Sequence, residues 1–360
     1  MGKTKVGIIF GGKSVEHEVS LQSAKNIIDA LDRSAYEAVL IGIDKEGNWH
    51  VYDEQEYLVH EDDPKRIALH EPKEDISVHL SKLNDVHQTF KNVDVVFPIN
   101  HGTLGEDGSL QGMFEILDVP YVGPNVLSSA ICMDKDIAKK LLNLAGIHVA
   151  NGVTITREDE DNVTYAELVS ELGETMFIKP ANQGSSVGVS KVTTEEEFNE
   201  ALADAFSYDH KLVIEEAIVG RELEVSVLGN EDPIASLPGE ISPQTEFYSY
   251  ESKYIDEKGA TLEIPADVSD ELAERLQTAA IKAFKTLQCE GLARVDFFVT
   301  EDEQIYVNEL NTLPGFTQIS MYPKLWEVSG IAYTDLISRL LDLAIERHKR
   351  NKQLKSSVFE

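Results

Sequence analysis

Cysteine is nearly absent: Cys132 and Cys289 are the only two in 360 residues. Two thiols cannot build a disulfide framework, and neither stands at metal-ligand spacing, which excludes disulfide-stapled scaffolds and cysteine-zinc modules. Long apolar runs are missing as well. A stretch such as Val6-Gly7-Ile8-Ile9-Phe10 is far too short to cross a bilayer, and the first lysines precede no apolar core of signal-peptide length. Met1-Gly2 is no myristoylation signal, since Val6 stands where Ser or Thr is required. By elimination, a cytosolic protein is expected. Positive charge is the third scarcity: 32 Lys and Arg face 64 Asp and Glu, a formal net of −32. Such a surface repels phosphate backbones and anionic lipid, which argues against nucleic acid and membrane as partners. The acidity is dispersed, as at Glu158–Asp161, Glu195–Glu197 and Glu301–Glu303, and reads as solvated faces. Any anionic small molecule must then enter a cleft that is locally basic or filled by a metal.

What is present reads as two or three domains, because the chain exceeds one ordinary core. Lys5–Phe10 has the pattern of a strand, Ser20–Leu31 of an amphipathic helix, and Glu37–Ile43 of a second strand. Residues 44–90 are polar and weakly periodic, an elaborated surface region. Val93–Pro98 is continuously apolar, as in a buried parallel sheet. The alternation implies an open, mostly parallel α/β sheet to about Gly123. A helix is expected from Ser128 to about Ala145, stopped by Gly146, with strands flanking Lys179 and another helix over Glu195–Phe206. The remainder is α+β. Strands lie at Leu212–Glu216 and Glu222–Leu228, followed by a polar, aromatic loop at Ser242–Ile264 and a helix at Asp270–Leu287. A hairpin at Leu292–Asn311 and a terminal helix from Tyr333 complete it.

Gly7-x-x-x-x-Gly12-Lys13-Ser14 satisfies the phosphate-binding P-loop pattern letter for letter. That pattern needs its variable residues in a loop, whereas Ile8, Ile9 and Phe10 read as the strand itself, and the next helix starts well after Ser14. The match is rejected. What remains is a Gly11-Gly12 turn at the carboxyl end of the first strand, where open α/β sheets bind ligands.

The sharpest constellation is the hairpin. With Glu301–Gln304 as its turn, Thr300 opposes Ile305, Asp296 opposes Glu309 and Arg294 opposes Asn311. Period-two alternation then puts all four polar groups on one face. Opposed carboxylates repel unless something positive lies between them, and Asp, Glu and Asn oxygens suit Mg²⁺. The alternative is a solvent-facing hairpin with scattered charges. The metal reading is favoured because the opposite face (Ala293, Val295, Phe297, Val299) is apolar and must be covered, although Phe298 and Val307 make the polar face mixed. Lys179 ends a strand at Pro180, and Asn182–Gly188 follows with two glycines and two serines able to close over phosphates. A plain hairpin turn is the competing reading. Lys135 is a candidate phosphate contact or a solvated helical lysine, and Glu215, Glu216 and Glu222 set carboxylates at strand ends where ribose hydroxyls or adenine amines could bind.

Taken together, these residues resemble the D-alanine–D-alanine ligases of the ATP-grasp superfamily, over nearly the whole chain. The matching stretches are Phe10–Ser20, His101-Gly102, Gly105–Gly112, Met133-Asp134-Lys135, Lys179-Pro180, Gly184–Gly188, Tyr250–Tyr254, and Glu309-Leu310-Asn311 with Pro314-Gly315. The resemblance implies an ATP-grasp fold behind an N-terminal open α/β domain: residues 1–123, a central subdomain 124–214, and a C-terminal catalytic domain 215–360 whose lid spans 242–264. It implies ATP-dependent joining of two D-alanine molecules for peptidoglycan precursor synthesis, with ATP and two Mg²⁺ (or Mn²⁺) and a homodimeric assembly. Glu16 would bind the first ammonium and His101 would lie near its carboxylate. Lys135 and Lys179, helped by Ser185 and Ser186, would hold phosphates. Glu215 and Glu222 would contact adenine and ribose, with backbone near Ile218. Asp296, Glu309 and Asn311 would bind metal, while Arg294 and the Gly315 N–H would stabilise the tetrahedral intermediate. Ser320 and Lys253 would face the second substrate, and Tyr254 would link Ser185 and Glu16 across the closed lid.

Asn100, Leu310 and Leu313 depart from the commonest wording, but only as neighbours of functional positions. A D-alanine–D-lactate ligase is the nearest rival, disfavoured by Tyr254. Another ATP-grasp carboxylate–amine ligase is disfavoured by Glu16 and the lid Ser252-Lys253-Tyr254. A non-catalytic nucleotide-binding module would lack a metal ligand or the arginine, and none is missing. A dehydrogenase would need Gly-x-Gly-x-x-Gly after the first strand.

Overall fold

The computed structural model describes residues 2–71, 77–78, 89–243 and 260–355. Its first sheet contains β1 (Thr4–Gly11), β2 (Tyr36–Ile43), β3 (Trp49–Tyr52), β6 (Ser77–Val78) and β7 (Val95–Pro98), in the order β6-β3-β2-β1-β7. β4 (Leu58–Val59) and β5 (Ala68–Leu69) form a separate pair. β1 runs parallel to β2 and β7, whereas β3 and β6 are antiparallel additions at one edge. The mostly parallel sheet read from the sequence is thus a parallel centre with an antiparallel flank drawn from the polar 44–90 region. α1 (His17–Ala30) covers one face. α2 (Ser109–Leu117) lies on the other, where Phe114 packs with Ile9, Ile41 and Val96.

The chain continues into α3 (Val126–Met133) and α4 (Lys135–Leu144). One continuous helix was expected here. Asp134 breaks it: its backbone is extended, its carboxylate caps Ile137 N at 3.1 Å, and Lys211 Nζ reaches that carboxylate at 2.5 Å. A short polar side chain that satisfies an orphan N–H starts a new helix more favourably than it continues the old one. The break leaves Lys135 in the first turn of α4.

A four-stranded antiparallel sheet follows, in the order β10-β9-β11-β8. It comprises β8 (Gly152–Thr156), β9 (Met176–Pro180), β10 (Ser190–Val192) and β11 (Lys211–Glu216), with α5 (Tyr165–Leu172) and α6 (Glu195–Ala205) completing its core around Phe198. The last sheet is built on β12 (Arg221–Gly229), with β13 (Ile234–Ala235), β14 (Gly239–Pro243), β15 (Ala260–Glu263), β16 (Gly291–Val299) and β17 (Ile305–Asn311). α7 (Asp270–Thr286) packs beneath it. The ends of the expected loop Ser242–Ile264 are therefore strands, with Ser242 paired to Thr261. Residues 244–259, with Lys253 and Tyr254, lie outside the described residues.

α8 (Met321–Val328) and α9 (Tyr333–Asn351) return to the first sheet. Tyr322, Trp326, Leu336 and Leu340 share one core with Val6, Ile8, Phe10 and Phe97. Arg347 on α9 is buried. Its guanidinium donates to the Tyr121 carbonyl at 2.8 Å and to that of Gly123, and lies over the Tyr121 ring at 4.5 Å. Replacing it leaves two buried carbonyls without donors, so Arg347→Met is expected to destabilise the fold by roughly 2–4 kcal/mol. Urea denaturation measures this, and an unchanged midpoint would show the tether to be dispensable.

Candidate active site

The rejected P-loop begins the site. Gly7–Phe10 lie within β1, and the turn's donors are committed: Gly11 N donates to Ser20 Oγ at 2.7 Å and Gly12 N to the Ile43 carbonyl at 2.8 Å. With the Gly11 and Gly12 N–H groups committed elsewhere, the turn delivers Glu16, buried at the start of α1. Its Oε1 accepts a hydrogen bond from Ser185 Oγ, which ties the first sheet to the glycine-serine loop of the second. Ser185 and Ser186 both adopt left-handed backbone, with φ of 50° and 61°. That conformation is unfavourable for side chains bearing Cβ and marks a constrained loop. Gly102 admits no alternative: φ is +76°, and a Cβ would stand 2.7 Å from Glu16 Oε2.

His101 is buried beside Glu16. Its Nδ1 donates to the Leu313 carbonyl at 2.9 Å and lies 3.5 Å from Glu106 Oε1. Burial alone would lower the imidazole's pKa. The hydrogen bond and charge of Glu106, with the charge of Glu16, outweigh it and raise the value. Glu106 is raised by its own burial and by Glu16, against the pull of His101. Sequence pattern does not single out Glu106, whose place beside His101 exists only in the folded chain.

The hairpin has the expected register where it matters, with Arg294 opposite Asn311 and Asp296 opposite Glu309. Nearer the turn it slips by one: Val299, not Thr300, faces Ile305, and an irregularity after Asp296 absorbs the difference. Two corrections follow. Val307 belongs to the buried apolar face with Ala293, Val295, Phe297 and Val299, and the additional residue, Asn308, turns its amide toward the cleft. Sequence alternation alone carries no mark of a bulge.

Two adjoining cavities meet above this hairpin. The first, of about 370 Å³, is lined by Glu16, His101, Arg294, Asp296, Asn311, Gly315 and Ser320. The second, of about 310 Å³, is lined by Lys135, Lys179, Ser186, Glu215 and Ile218. Ser185, Glu222, Asn308 and Glu309 line both. Every candidate site residue among the described ones therefore falls into one connected cleft. At Gly315 a Cβ would stand 2.7 Å from Ser320 Oγ, so a larger residue there would press on that hydroxyl. Ser320 Oγ in turn accepts from Thr317 N at 2.9 Å.

Cations gather here against the acidic background. Lys135 Nζ donates to the Gln183 carbonyl at 2.6 Å and lies 3.9 Å from Glu309. Lys179 Nζ donates to Glu215 Oε2 at 2.8 Å and lies 3.4 Å from Asn308 Oδ1. Lys139, one helical turn after Lys135 and on the same face, reaches Glu215 Oε1 at 2.5 Å. The i, i+4 spacing to Lys135 was the available sign of it. Arg294 forks onto Asp296 with two bonds of 2.7 Å, and its Nε lies 2.9 Å from Glu224 Oε2. Asp296 also accepts from Asn311 Nδ2 at 2.9 Å. Among the described residues no group of three or more His, Cys, Asp or Glu forms a metal cage. Two carboxylates and an amide suit a hard cation that keeps waters and phosphate oxygens as its other ligands, so the donor set fits Mg²⁺.

Glu215 is buried, and burial by itself would raise its pKa. Lys139 and Lys179 more than reverse this, holding it at about 2, while burial pushes Lys139 down to about 8 despite Glu215. A carboxylate depressed from 4.5 contributes stability that is present above 4.5 and lost as pH falls toward about 2. Lys139→Met is expected to destabilise the protein by roughly 3 kcal/mol at pH 7, because Glu215 keeps its charge with one partner only. Denaturation across pH should show this penalty narrowing below about pH 5. A penalty independent of pH would mean Lys139 matters only as packing.

The signature described as D-ala D-ala ligase N-terminus matches residues 5–124, and D-ala D-ala ligase C-terminus matches residues 141–342. The chain is 58% identical to a D-alanine–D-alanine ligase of Shouchella clausii, covering 100% of both. Among solved structures, the D-alanine–D-alanine ligase of Coxiella burnetii aligns with a TM-score of 0.79 at 39% identity, covering 98% of each chain. The VanG D-Ala:D-Ser ligase of Enterococcus faecalis aligns with a TM-score of 0.80 at 35% identity, covering 95% of this chain and 100% of that one. The mixed α/β architecture is accordingly the ATP-grasp fold that the motifs implied. From its first strand to its last helices, the chain belongs to the D-alanine–D-alanine ligase family.

Proposed function

We propose that the protein joins two D-alanine molecules into D-alanyl-D-alanine at the expense of ATP, in the cytosol, as a homodimer supplying peptidoglycan precursors. The observation that carries this reading is the pair of cavities that meet at Glu309 and Ser185: one lined by lysines and the strained serine loop, the other by Glu16, His101 and Arg294. No described helix is long and apolar enough to cross a membrane. A division into residues 1–123, 124–214 and 215–360 follows the three larger sheets, except that β11 runs across the second border and α8 and α9 pack into the core of the first sheet.

ATP occupies the lysine-lined cavity. Lys135 and Lys179 take the phosphates, the Ser185-Ser186 loop closes over them, and Glu222 and the backbone near Ile218 hold ribose and adenine. Glu215 contributes beneath adenine and orients Lys179, since its Oε2 accepts from Lys179 while its Oε1 faces Lys139 as an ion pair. The first D-alanine sits with its ammonium on Glu16 and its carboxylate near His101. That carboxylate attacks the γ-phosphorus, ADP leaves, and an acyl phosphate forms. The amine of the second D-alanine, placed by Ser320 and Lys253, attacks the acyl carbon, loses its proton and expels phosphate. Arg294 and the Gly315 N–H hold the oxyanion, which is electrostatic stabilisation aimed at the charge that develops. Asp296, Glu309 and Asn311 would hold Mg²⁺ or Mn²⁺, which neutralises charge on the phosphates when bound. Tyr254 closes the lid against Ser185 and Glu16, keeping water from the acyl phosphate.

The test is phosphate release with product identification, using ATP, Mg²⁺ and D-alanine alone, then with D-lactate or D-serine added at neutral pH. The dipeptide D-alanyl-D-alanine is expected throughout. A depsipeptide or a D-serine product would reassign the acceptor, and no turnover would sink the substrate assignment. Chelation by EDTA should abolish phosphate release and Mg²⁺ or Mn²⁺ should restore it. Glu309→Gln should lower kcat by about 100-fold or more, in the range lost when one stabilising group is removed from a reacting centre.

A further inference from the structure

We infer that Glu224 is a positioning residue that holds Arg294 in the substrate cavity while Asp296 turns to the metal. This rests on the metal assignment proposed above. Glu224 lies on β12 directly opposite Asp296 on β16, which is itself opposite Glu309 on β17. Three carboxylates thus stand abreast across three adjacent strands, an arrangement that is unfavourable unless cations separate them. Arg294 separates the first two: its Nε lies 2.9 Å from Glu224 Oε2, while its Nε and Nη2 donate to Asp296 at 2.7 Å each.

Asp296 carries a conflict. It is the acceptor for Arg294 and for Asn311, and it is also a proposed metal ligand. A guanidinium and a divalent cation cannot both face the same lone pairs, and they repel one another. If Asp296 were the only carboxylate in reach, a metal on its remaining lone pair would repel a largely buried guanidinium and weaken its one ion pair, which is unfavourable. Glu224 resolves this by position. It is 5% exposed, it is held on a central strand, and it stands on the flank of β16 opposite Glu309 and Asn311. With Asp296 and Glu309 holding a metal, Arg294 would keep Glu224 as its carboxylate partner. The guanidinium stays aimed at the reacting carboxylate and does not compete for Asp296.

The experiment is Mn²⁺ binding in the presence of ADP, with free Mn²⁺ read by electron paramagnetic resonance, so no turnover is needed. Both Glu224→Gln and Glu224→Asp should raise the Mn²⁺ Kd by about tenfold, the range expected for a residue that orients a metal ligand. The aspartate keeps the charge and loses the reach. Adding Arg294→Met should cancel the effect, leaving Glu224→Gln within about twofold of its arginine-free parent, because the competitor for Asp296 is gone. Wild-type affinity in Glu224→Asp, or an equal loss with and without Arg294, would overturn the inference, since through-space charge alone would then account for it. Metal-free thermal unfolding checks that each variant is folded; if Glu224→Gln is not, Glu224→Asp carries the comparison. Failure of the unaltered protein to bind Mn²⁺ would overturn the metal assignment itself, and this inference with it.

Discussion

The site depends on one electrostatic constraint: strand register forces Glu224, Asp296 and Glu309 side by side, and nothing in water-poor surroundings lets them stay there uncompensated. The described structure answers with cations from separate elements. Arg294 rises from the same strand as Asp296 and Lys135 opens α4 near Glu309, while Lys179, near the end of β9, pairs with the buried Glu215. Each cation brought to satisfy a carboxylate is also a cation aimed into the cleft. A chain of formal charge −32 can accept an anionic nucleotide because its own buried carboxylates have concentrated positive charge at one place.

The same economy joins the parts of the molecule. Glu16 comes from the start of α1 and Ser185 from the loop after β9, yet a single hydrogen bond couples them across the cleft. His101, at the end of the first sheet, is oriented by the carbonyl of Leu313 from beyond β17. α8 and α9 then complete the core of the N-terminal sheet. Distances between the groups lining the two cavities are therefore set by packed interfaces. Such interiors resist the displacements that would misalign reacting groups.

The hairpin illustrates how much was legible and where legibility ended. Opposed carboxylates followed from turn placement and period-two alternation, and the structure has them opposed. The slip near the turn did not follow, because a bulge depends on how α7 and the neighbouring strand bury Val307, not on local pattern. Asn308 faces the cleft only through that slip. In sequence Glu224 reads as one more glutamate in an acidic chain, and its proximity to Arg294 exists only once β12 and β16 are paired.

By itself the sequence determined the order of strands and helices, the rejection of the P-loop, the dearth of basic residues, and the motifs that mark the family. These are properties of periodicity, composition and short spacing, which act over a few residues. Tertiary structure alone decided which charges would meet. It brought Lys211 from β11 onto the Asp134 cap, buried Glu215 between Lys139 and Lys179, and set Glu224 against Arg294. Charge interactions strengthen as water is excluded, and exclusion is created only when distant elements pack.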